Sequence, residues 1–155
     1  SAYTTMMDFA TKHSATEIIG ILFGHFSEPI KDSCFVESAI PMRTGSDIYA
    51  EFIDSDYEIM GSEIIKHAQY GQSLIGWFHS HPFGGSGSLY MSSTDKLFHS
   101  KAMRLYPDWV ALVLDPFRIE DKRTASGIKG FIILRDKKFW GISNKIVEIP
   151  INFID

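Results

Sequence analysis

The sequence predicts an α/β protein in which helices flank a mixed β-sheet. Two short runs, residues 16–23 and 109–114, are almost wholly apolar, which is typical of strands that are covered on both faces. Other segments carry apolar residues at helical spacing. Alternation of strand-like and helix-like segments favours a layered α/β fold, here with the order α, β, β, β, α, β, α, β, β, β.

The first third of the chain contains one helix and three strands by its pattern. Residues 2–13 have apolar side chains at helical spacing and predict a helix. The apolar run at 16–23 is the first strand. Residues 34–40 predict a second strand that stops at Pro41, because proline cannot donate a hydrogen bond to a sheet. Residues 49–53 predict a short third strand.

The clearest helix is predicted at residues 54–70. Ser55 with Glu58 three residues later has the pattern of a capping box. Gly71 stands where a left-handed glycine commonly ends a helix. The predicted buried face consists of four side chains at helical spacing: Tyr57, Met60, Ile64 and Ala68.

The second half of the chain alternates strands with one more helix. Residues 74–79 predict a strand, and residues 94–105 predict a helix that ends before Pro107. After the apolar run at 109–114, the pattern is typical of a hairpin. Its two strands and the turn between them are predicted at residues 128–134, 138–142 and 135–137.

Composition narrows the class of protein. The 155 residues suit a single domain, residues 1–155. The formal net charge is −4, so the basic surplus typical of nucleic-acid binders is missing. No apolar run approaches the length of a membrane span. Cys34 is the one cysteine, which excludes a disulfide within the chain and fits a reducing, cytoplasmic setting.

Two histidines near the end of a predicted strand are candidate metal ligands. His79 and His81 are separated by one residue, so on a strand both side chains point to the same side. Imidazoles about 7 Å apart along a strand can converge on one ion. The alternative is two polar residues that happen to stand at a strand end.

Asp95 is the candidate third ligand, because it opens the next predicted helix. Ser92 and Asp95 also have the spacing of a capping box, so a purely structural role is an alternative. The two roles are compatible for Ser92, which can cap the helix while Asp95 binds a metal. Two histidines and one carboxylate leave a fourth position open for water, as in catalytic zinc sites.

Glu17 is the candidate general base. It stands in an otherwise apolar strand, where a carboxylate is costly to bury unless it is paired or functional. A catalytic metal site needs such a group to accept the proton of the attacking water. The alternative is an edge position that faces the solvent.

Together these residues resemble the JAMM (MPN+) metalloprotease family. The resemblance rests on three separated blocks in one order: E-x-x-G-x-L-x-G from Glu17, HSHP from His79, and S-x-x-D from Ser92. Residues 76–78 and 110–116 are further similar to the deubiquitinating subunit of the proteasome lid and its signalosome relative. A eukaryotic lid subunit and an archaeal homologue both fit this resemblance.

The resemblance implies a JAMM/MPN (cytidine-deaminase-like) fold with a curved mixed sheet between helices. It implies one zinc ion held by His79, His81 and Asp95, with Glu17 as general base and acid for a metal-activated water. Ser92 would donate a hydrogen bond to the oxyanion. The implied activity is isopeptide hydrolysis that releases ubiquitin or a ubiquitin-like modifier from lysine, with a proteasome-type assembly as a partner. The alternative within the family is a catalytically silent scaffold module.

The segment between the second histidine and the aspartate departs from the family pattern. Thirteen residues separate His81 from Asp95 here, whereas ten are usual in the family. The extra length falls in residues 83–91, and three glycines predict that residues 84–88 are mobile and bury little. Two further residues each have two possible roles. His99 is either a structural residue or a residue in contact with the site, and Asp115 either supports the site or caps the following turn.

Overall fold

The computed structural model confirms the predicted α/β class. It describes residues 1–45, 52–85, 87–118, 127–138 and 141–154, without the side chains of 136–138 and 141–143. Within these ranges the helices are α1 Ala2–Lys12, α2 Asp54–Ala68 and α3 Ser93–Ala102. The strands are β1 Ile18–Phe26, β2 Cys34–Thr44, β3 Ser73–Ser80, β4 Val110–Leu114, β5 Ile128–Lys138, β6 Gly141–Ile149 and β7 Ile151–Phe153.

The described strands form one mixed, curled sheet in the order β6-β5-β4-β3-β1-β2-β7. The β3–β4 and β2–β7 pairs are parallel, and the other pairs are antiparallel. Strands β6 and β7 lie at opposite edges, yet Pro150 alone joins them in sequence. The two edges must therefore approach each other, and the Ile151 side chain indeed packs over Gly130 of β5.

Each face of the sheet carries an apolar layer. Ile18 and Leu22 belong to the layer that packs against α1, whereas Ile19 and Ile21 belong to the layer on the side of α2 and α3. This alternation along β1 follows from the period of two in a strand. All of Val110–Leu114 is fully buried, as its continuous apolar pattern predicted. None of the helices in the described part of the chain has the length and hydrophobicity of a membrane span.

The second strand does not stop at Pro41, which corrects the prediction. Strand β2 runs on to Thr44, and Pro41 pairs with Gly20 next to a bulge in the β1–β2 register. On its other side β2 pairs with β7 only near Cys34–Val36. Proline is tolerated at bulges and at unpaired edges because no ladder donor is required there.

Helix α2 begins differently from the prediction. Asp56, rather than the Ser55–Glu58 pair, caps the helix, because its Oδ2 accepts the backbone N–H of Ile53 at 2.8 Å. The buried side chains of α2 are Asp56, Met60 and His67, so the predicted face was right for Met60 but wrong for Tyr57 and Ala68, which are exposed. Gly71 has the predicted left-handed conformation, with φ +72°.

Two other predictions about strands have different outcomes. Most of the predicted strand at 49–53 lies outside the described residues. The predicted turn at 135–137 is wrong, because these residues pair with β6 and the strand continues to Lys138. Charged residues suggested a turn, but backbone pairing with β6 does not depend on apolar side chains. The short strand β7 was not predicted.

Candidate metal centre

His79 and His81 are positioned by strand β3, which lies between β1 and β4. His79 is paired with Ile19 on one side and Val113 on the other. His81 follows the strand, and its backbone N–H donates to the carbonyl of Leu114 at 2.8 Å. The two rings point to the same side, with their centroids 4.8 Å apart, as the i, i+2 spacing predicts.

Close strand packing around these histidines depends on two glycines. A side chain at Gly20 would collide with the ring of Phe78, and one at Gly76 would collide with the carbonyl of Val110. Both glycines therefore allow the neighbouring strands to approach β3 at the point where it delivers the histidines. The first of them belongs to the sequence block that begins with Glu17.

Asp95 comes to the histidines from the first turn of α3. Its Oδ2 atom lies 3.0 Å from His79 Nε2 and 3.2 Å from His81 Nε2. Ser92 and Asp95 also form the predicted capping box, because Asp95 N–H donates to Ser92 Oγ at 3.1 Å and Ser92 N–H donates to Asp95 Oδ2 at 2.8 Å. The helix cap thus fixes the carboxylate where it faces both imidazoles.

The three side chains are nearly inaccessible to solvent, at 1%, 2% and 3% exposed for His79, His81 and Asp95. Burial lowers the pKa of His79 below its ordinary value. Burial also lowers the pKa of His81, but its hydrogen bonds to Asp95 and to the Ser88 carbonyl raise the pKa by more than burial lowers it. The net shift of the His81 pKa is therefore upward. Burial raises the pKa of Asp95, and the two histidines outweigh this and hold it well below its usual range.

The hydrogen bonding of His81 fixes which ring nitrogen faces the carboxylate. His81 Nδ1 lies 2.9 Å from the carbonyl oxygen of Ser88, and a carbonyl can only accept, so Nδ1 carries a proton. In the neutral ring, Nε2 is then unprotonated, and its lone pair faces the Asp95 carboxylate. Two acceptors at this distance repel each other unless a proton or a metal ion lies between them.

The donor set fits a transition-metal ion. Among the described residues, Nδ1 of the buried His79 has no hydrogen-bond partner, and its Nε2 faces the Asp95 carboxylate at 3.0 Å. Ligand atoms of His79, His81 and Asp95 lie within 4.8 Å of one another, and the described part of the chain offers no other such group of three. Two imidazoles and one carboxylate suit zinc with an open fourth position, and the same set also occurs in iron sites.

Glu17 lies beside this cluster, immediately before β1. It is 5% exposed, which the solvent-facing alternative does not allow, and its Oε1 atom is 3.9 Å from His81 Nε2. Its backbone carbonyl accepts the N–H of Gly45 at 2.7 Å. The next residue, Ile18, donates its N–H to Ser80 Oγ at 3.0 Å, so the glutamate is tied directly to the histidine strand.

Ser92 lies at the rim of the cluster and is half-buried. Its hydroxyl oxygen accepts the N–H of Asp95 in the helix cap. A hydroxyl that accepts one hydrogen bond still has its own proton to donate. Ser92 can therefore cap α3 and donate to an oxygen in the site at the same time.

Sequence reasoning missed two supports of the site. One is Ser80, the residue between the histidines, which was not assigned a role. The other is Trp77, which stacks on His79 with ring centroids 4.4 Å apart and donates its indole N–H to His99 Nδ1 at 3.1 Å. The signal for the stack was available, because Trp77 is two residues before His79 and shares its face.

The extended loop at 83–91 is anchored at both ends. Asp115 Oδ2 accepts the N–H of Gly84 at 2.9 Å, and its Oδ1 accepts the N–H of Phe117 at 3.0 Å. Asp115 therefore caps the following turn and also holds the start of the loop. At the other end Ser88, Leu89 and Met91 are buried. Within residues 84–88, Gly84, Gly85 and Gly87 are exposed as expected and Ser88 is the exception, while residue 86 lies outside the described residues.

Two other residues with side chains capable of catalysis, Cys34 and His67, have structural roles instead. Cys34 is a buried core residue, and burial raises the pKa of its thiol to about 12. A nucleophilic thiolate is therefore unavailable at neutral pH. His67 stacks on Phe23 and its Nδ1 lies 2.7 Å from the amide oxygen of Gln72, which is a structural arrangement on the outer part of α2.

A comparison with protein families finds one that matches residues 1–107 of this chain, and its description is JAB1/Mov34/MPN/PAD-1 ubiquitin protease. This match includes the glutamate, both histidines, the serine and the aspartate of the cluster. It covers the sheet from β1 to β3 and all three described helices.

Several curated proteins are similar to the chain at low identity. The ubiquitin carboxyl-terminal hydrolase RPN11 of Saccharomyces cerevisiae is 26% identical over 102 residues, which cover 66% of this chain and 32% of that protein. The COP9 signalosome complex subunit 5 of Debaryomyces hansenii is 27% identical, covering 78% and 25%. The NAD(+) hydrolase TcpA of a Theionarchaea archaeon is 28% identical, covering 88% and 36%.

Among solved structures, the protein DSY2949 of Desulfitobacterium hafniense has a similar fold. The TM-score is 0.57 at 20% sequence identity, and the alignment covers 99% of this chain and 89% of that one. Identity at this level supports the fold and carries no function. The chain spans only between 25 and 36% of the length of the three curated relatives.

Proposed function

The chain belongs to the JAB1/Mov34/MPN/PAD-1 ubiquitin protease family, and from this premise we propose that it is a zinc-dependent isopeptidase. Its substrates would be ubiquitin or ubiquitin-like modifiers joined through their C-terminal carboxyl to a lysine amine. The observation that carries the proposal is the buried convergence of His79, His81 and Asp95, with Glu17 Oε1 3.9 Å from one ligand nitrogen.

His79, His81 and Asp95 would hold the metal ion, and bound zinc would supply Lewis-acid polarisation and a water of lowered pKa. The chain's own groups prepare this binding. The Ser88 carbonyl keeps the proton of His81 on Nδ1 and leaves Nε2 as the ligand atom. The α3 cap orients the Asp95 carboxylate. Such supporting hydrogen bonds typically contribute 10–100-fold to metal affinity.

Glu17 would transfer the proton in two steps. As the water oxygen attacks the isopeptide carbonyl carbon, the Glu17 carboxylate accepts a proton from that water. As the carbon–nitrogen bond breaks, Glu17 returns the proton to the lysine nitrogen, which leaves as an amine, and the modifier is released as a carboxylic acid. The second proton of the attacking water then passes from that acid to the amine, so the products are a carboxylate and a lysine ammonium. The ties of this backbone to Gly45 and Ser80 hold the carboxylate in reach, because general acid–base catalysis requires a positioned group.

Ser92 would stabilise the negative oxygen that develops on the attacked carbonyl. Its hydroxyl oxygen accepts the Asp95 N–H, and its own proton is not used by that bond, so it can be donated to the substrate. A fixed donor of this kind costs no reorganisation during the reaction. The α3 start would thus contribute a metal ligand and an oxyanion donor from one turn.

The partners and setting are part of the same proposal. The COP9 signalosome complex subunit 5 and a further relative, the 26S proteasome regulatory subunit RPN11 of Candida glabrata, carry names that place them in multi-subunit complexes. This chain would likewise act within or beside a proteasome-type assembly in a cytoplasmic compartment. We also propose that residues 1–155 form one domain. The competing hypothesis within the family is a scaffold module that binds no metal.

NAD⁺ hydrolysis is a second candidate function, favoured by one observation. TcpA is similar over 88% of this chain, but the match covers 36% of TcpA itself. The name of that longer protein therefore does not assign its activity to the part shared with this chain. Inclusion of NAD⁺ in the activity assay separates the two candidates.

The experiment is hydrolysis of isopeptide-linked diubiquitin by the purified chain loaded with one equivalent of zinc. The Glu17→Gln variant removes the proton acceptor and leaves the ligands, so we expect unchanged zinc content and a rate about 10²–10⁴-fold lower. Equal rates for the two proteins would exclude the proposed role of Glu17. If the wild-type protein binds no zinc and does not cleave diubiquitin, the scaffold alternative is favoured. Consumption of added NAD⁺ would favour the second candidate function.

A further inference from the structure

A buried tryptophan–histidine pair lies behind the metal ligand His79. The imidazole of His79 is stacked on the indole of Trp77, with ring centroids 4.4 Å apart and an interplanar angle of 10°. The indole N–H donates to His99 Nδ1 at 3.1 Å. Trp77 and His99 are both 0% exposed, so this hydrogen bond has no competition from water.

The direction of this hydrogen bond is fixed by chemistry. An indole N–H can only donate, so His99 Nδ1 must be the unprotonated nitrogen, and the proton of the neutral ring is on Nε2. Burial lowers the pKa of His99 to about 4, so the ring stays neutral at physiological pH. The acceptor that faces Trp77 is therefore present throughout the range in which the protein would work.

The helix that carries His99 also carries a metal ligand. Asp95 and His99 are four residues apart on α3, and residues at this spacing share a helix face. Phe98 of the same helix packs edge-on against Trp77, with centroids 4.6 Å apart and planes at 69°. One rigid element thus places the Asp95 carboxylate directly and fixes the indole plane from two sides.

We propose that His99 is a positioning residue for the metal site. By accepting the indole N–H of Trp77 it holds the surface on which the His79 imidazole is stacked, and so fixes the orientation of that ligand relative to Asp95. The inference rests on the proposed function in one respect, because its consequence is measured as metal affinity. His99 itself touches neither the metal ligands' donor atoms nor the substrate in this scheme.

The test compares His99→Leu with His99→Gln. Leucine removes the acceptor and leaves a buried indole N–H unpaired, which is unfavourable enough to displace the ring. Glutamine is close to histidine in volume and offers an acceptor oxygen. Zinc affinity, measured by competition with a chromophoric chelator, should fall about 10–100-fold in His99→Leu and stay near the wild-type value in His99→Gln.

A second readout needs no metal. In the metal-free protein, the ring protons of His79 lie over the indole face, and their NMR signals are displaced by its ring current. His99→Leu should reduce this displacement, whereas His99→Gln should preserve it. His67→Leu is the matched control, because His67 also stacks on an aromatic ring, Phe23, at 4.1 Å, and it should change neither readout.

A double-mutant cycle with Trp77→Phe completes the test, since phenylalanine keeps a stacking ring and removes the N–H. In that background His99→Leu should cause no further loss of zinc affinity. If His99→Leu does not fold, Trp77→Phe decides, because it should lower zinc affinity by itself. Wild-type zinc affinity and ring shifts in these variants would overturn the inference and leave the proposed function intact. A wild-type protein that binds no zinc would refute the proposed function, and the ring shifts would still decide whether His99 positions His79.

Discussion

Helices α2 and α3 begin with the same capping device, and the comparison separates structure from function. In each, an aspartate in the first turn accepts the backbone N–H of the preceding cap residue at 2.8 Å: Asp56 from Ile53 and Asp95 from Ser92. Both aspartates are 3% exposed. By this geometry alone, the two aspartates are equally good helix caps.

The two carboxylates differ in what else they face. Asp56 Oδ2 lies 3.1 Å from Arg43 Nε, and a guanidinium is always protonated, so this pair is a permanent structural ion pair. Asp95 Oδ2 faces the Nε2 atoms of His79 and His81, which are neutral lone-pair donors unless they are protonated. Under the proposed function, Asp95 can bind a metal ion because its two imidazole partners can be unprotonated, whereas Asp56 faces a guanidinium that keeps its proton.

Asp95→Asn against Asp56→Asn is the comparison with the largest expected effect. Asparagine can still cap either helix, because its amide oxygen can accept the same N–H. At position 95 it removes the ligand charge, so we expect zinc affinity to fall by more than the ~10–100-fold typical of a supporting residue. Isopeptide cleavage should fall to background. At position 56 zinc affinity and cleavage should stay at the wild-type level.

These effects are read from zinc titration and from cleavage of diubiquitin, with circular dichroism to verify the fold of each variant. Equal zinc affinity in Asp95→Asn and Asp56→Asn would mean that the two caps are both structural. In that case the cluster around His79 and His81 would be held together by protons rather than by a metal ion.

The cap residues themselves give the next largest effect. Helix α2 is preceded by Ile53, which has no hydroxyl, whereas α3 is preceded by Ser92. Ser92→Ala should lower the cleavage rate about 10²–10³-fold, because an oxyanion donor is lost, and should destabilise the fold by about 1 kcal/mol, because a cap is lost. Zinc content should not change.

Ser93→Ala is the control for this variant, since Ser93 is the exposed neighbour at the first helical position. Rates are measured at saturating zinc, and stability is measured by urea unfolding. A Ser92→Ala enzyme with an unaltered rate would restrict Ser92 to capping, and the oxyanion would then require another donor.

The smallest effect is expected at the start of α2, where Asp56→Asn should change the free energy of unfolding and not the activity. Asp56→Asn leaves the Arg43 guanidinium, whose side chain is 28% exposed, without its charged partner. We expect a loss of about 1–3 kcal/mol in the free energy of unfolding, measured in metal-free protein by urea titration. A neutral result would show that Arg43 regains water at no cost, and that the ion pair does not stabilise the start of α2.

The sequence predicted the α/β class because its strongest signals are local. The apolar run that became Val110–Leu114 and the glycine at position 71 each depend on backbone and burial preferences of a few residues. Pro41 misled the prediction because its missing donor is tolerated in the sheet: a bulge lies on one side, and on the other no strand of the described residues pairs with it. The capping role of Asp56 was missed because Ser55 offered an equally good local pattern.

The convergence of His79, His81 and Asp95 was predictable, because residues i and i+2 share one face of a strand and Asp95 stands at a helix start. Among the residues that support this cluster, His99 was a candidate because it lies one turn after Asp95, but its partner Trp77 and the role of Ser80 were not predicted. The bond between Trp77 and His99 spans 22 positions, and that between Ile18 and Ser80 spans 62. Such contacts are set by how the sheet and α3 pack, which no local pattern encodes.

Anomalous diffraction at the zinc edge tests the central claim most directly. Crystals of the wild-type chain grown with one equivalent of zinc, measured on either side of the edge, should show one strong peak between His79 Nε2, His81 Nε2 and the Asp95 carboxylate. Asp56→Asn crystals should show the same peak, and Asp95→Asn crystals should lack it. An absent peak in the wild-type protein, or one that persists in Asp95→Asn, would contradict the account.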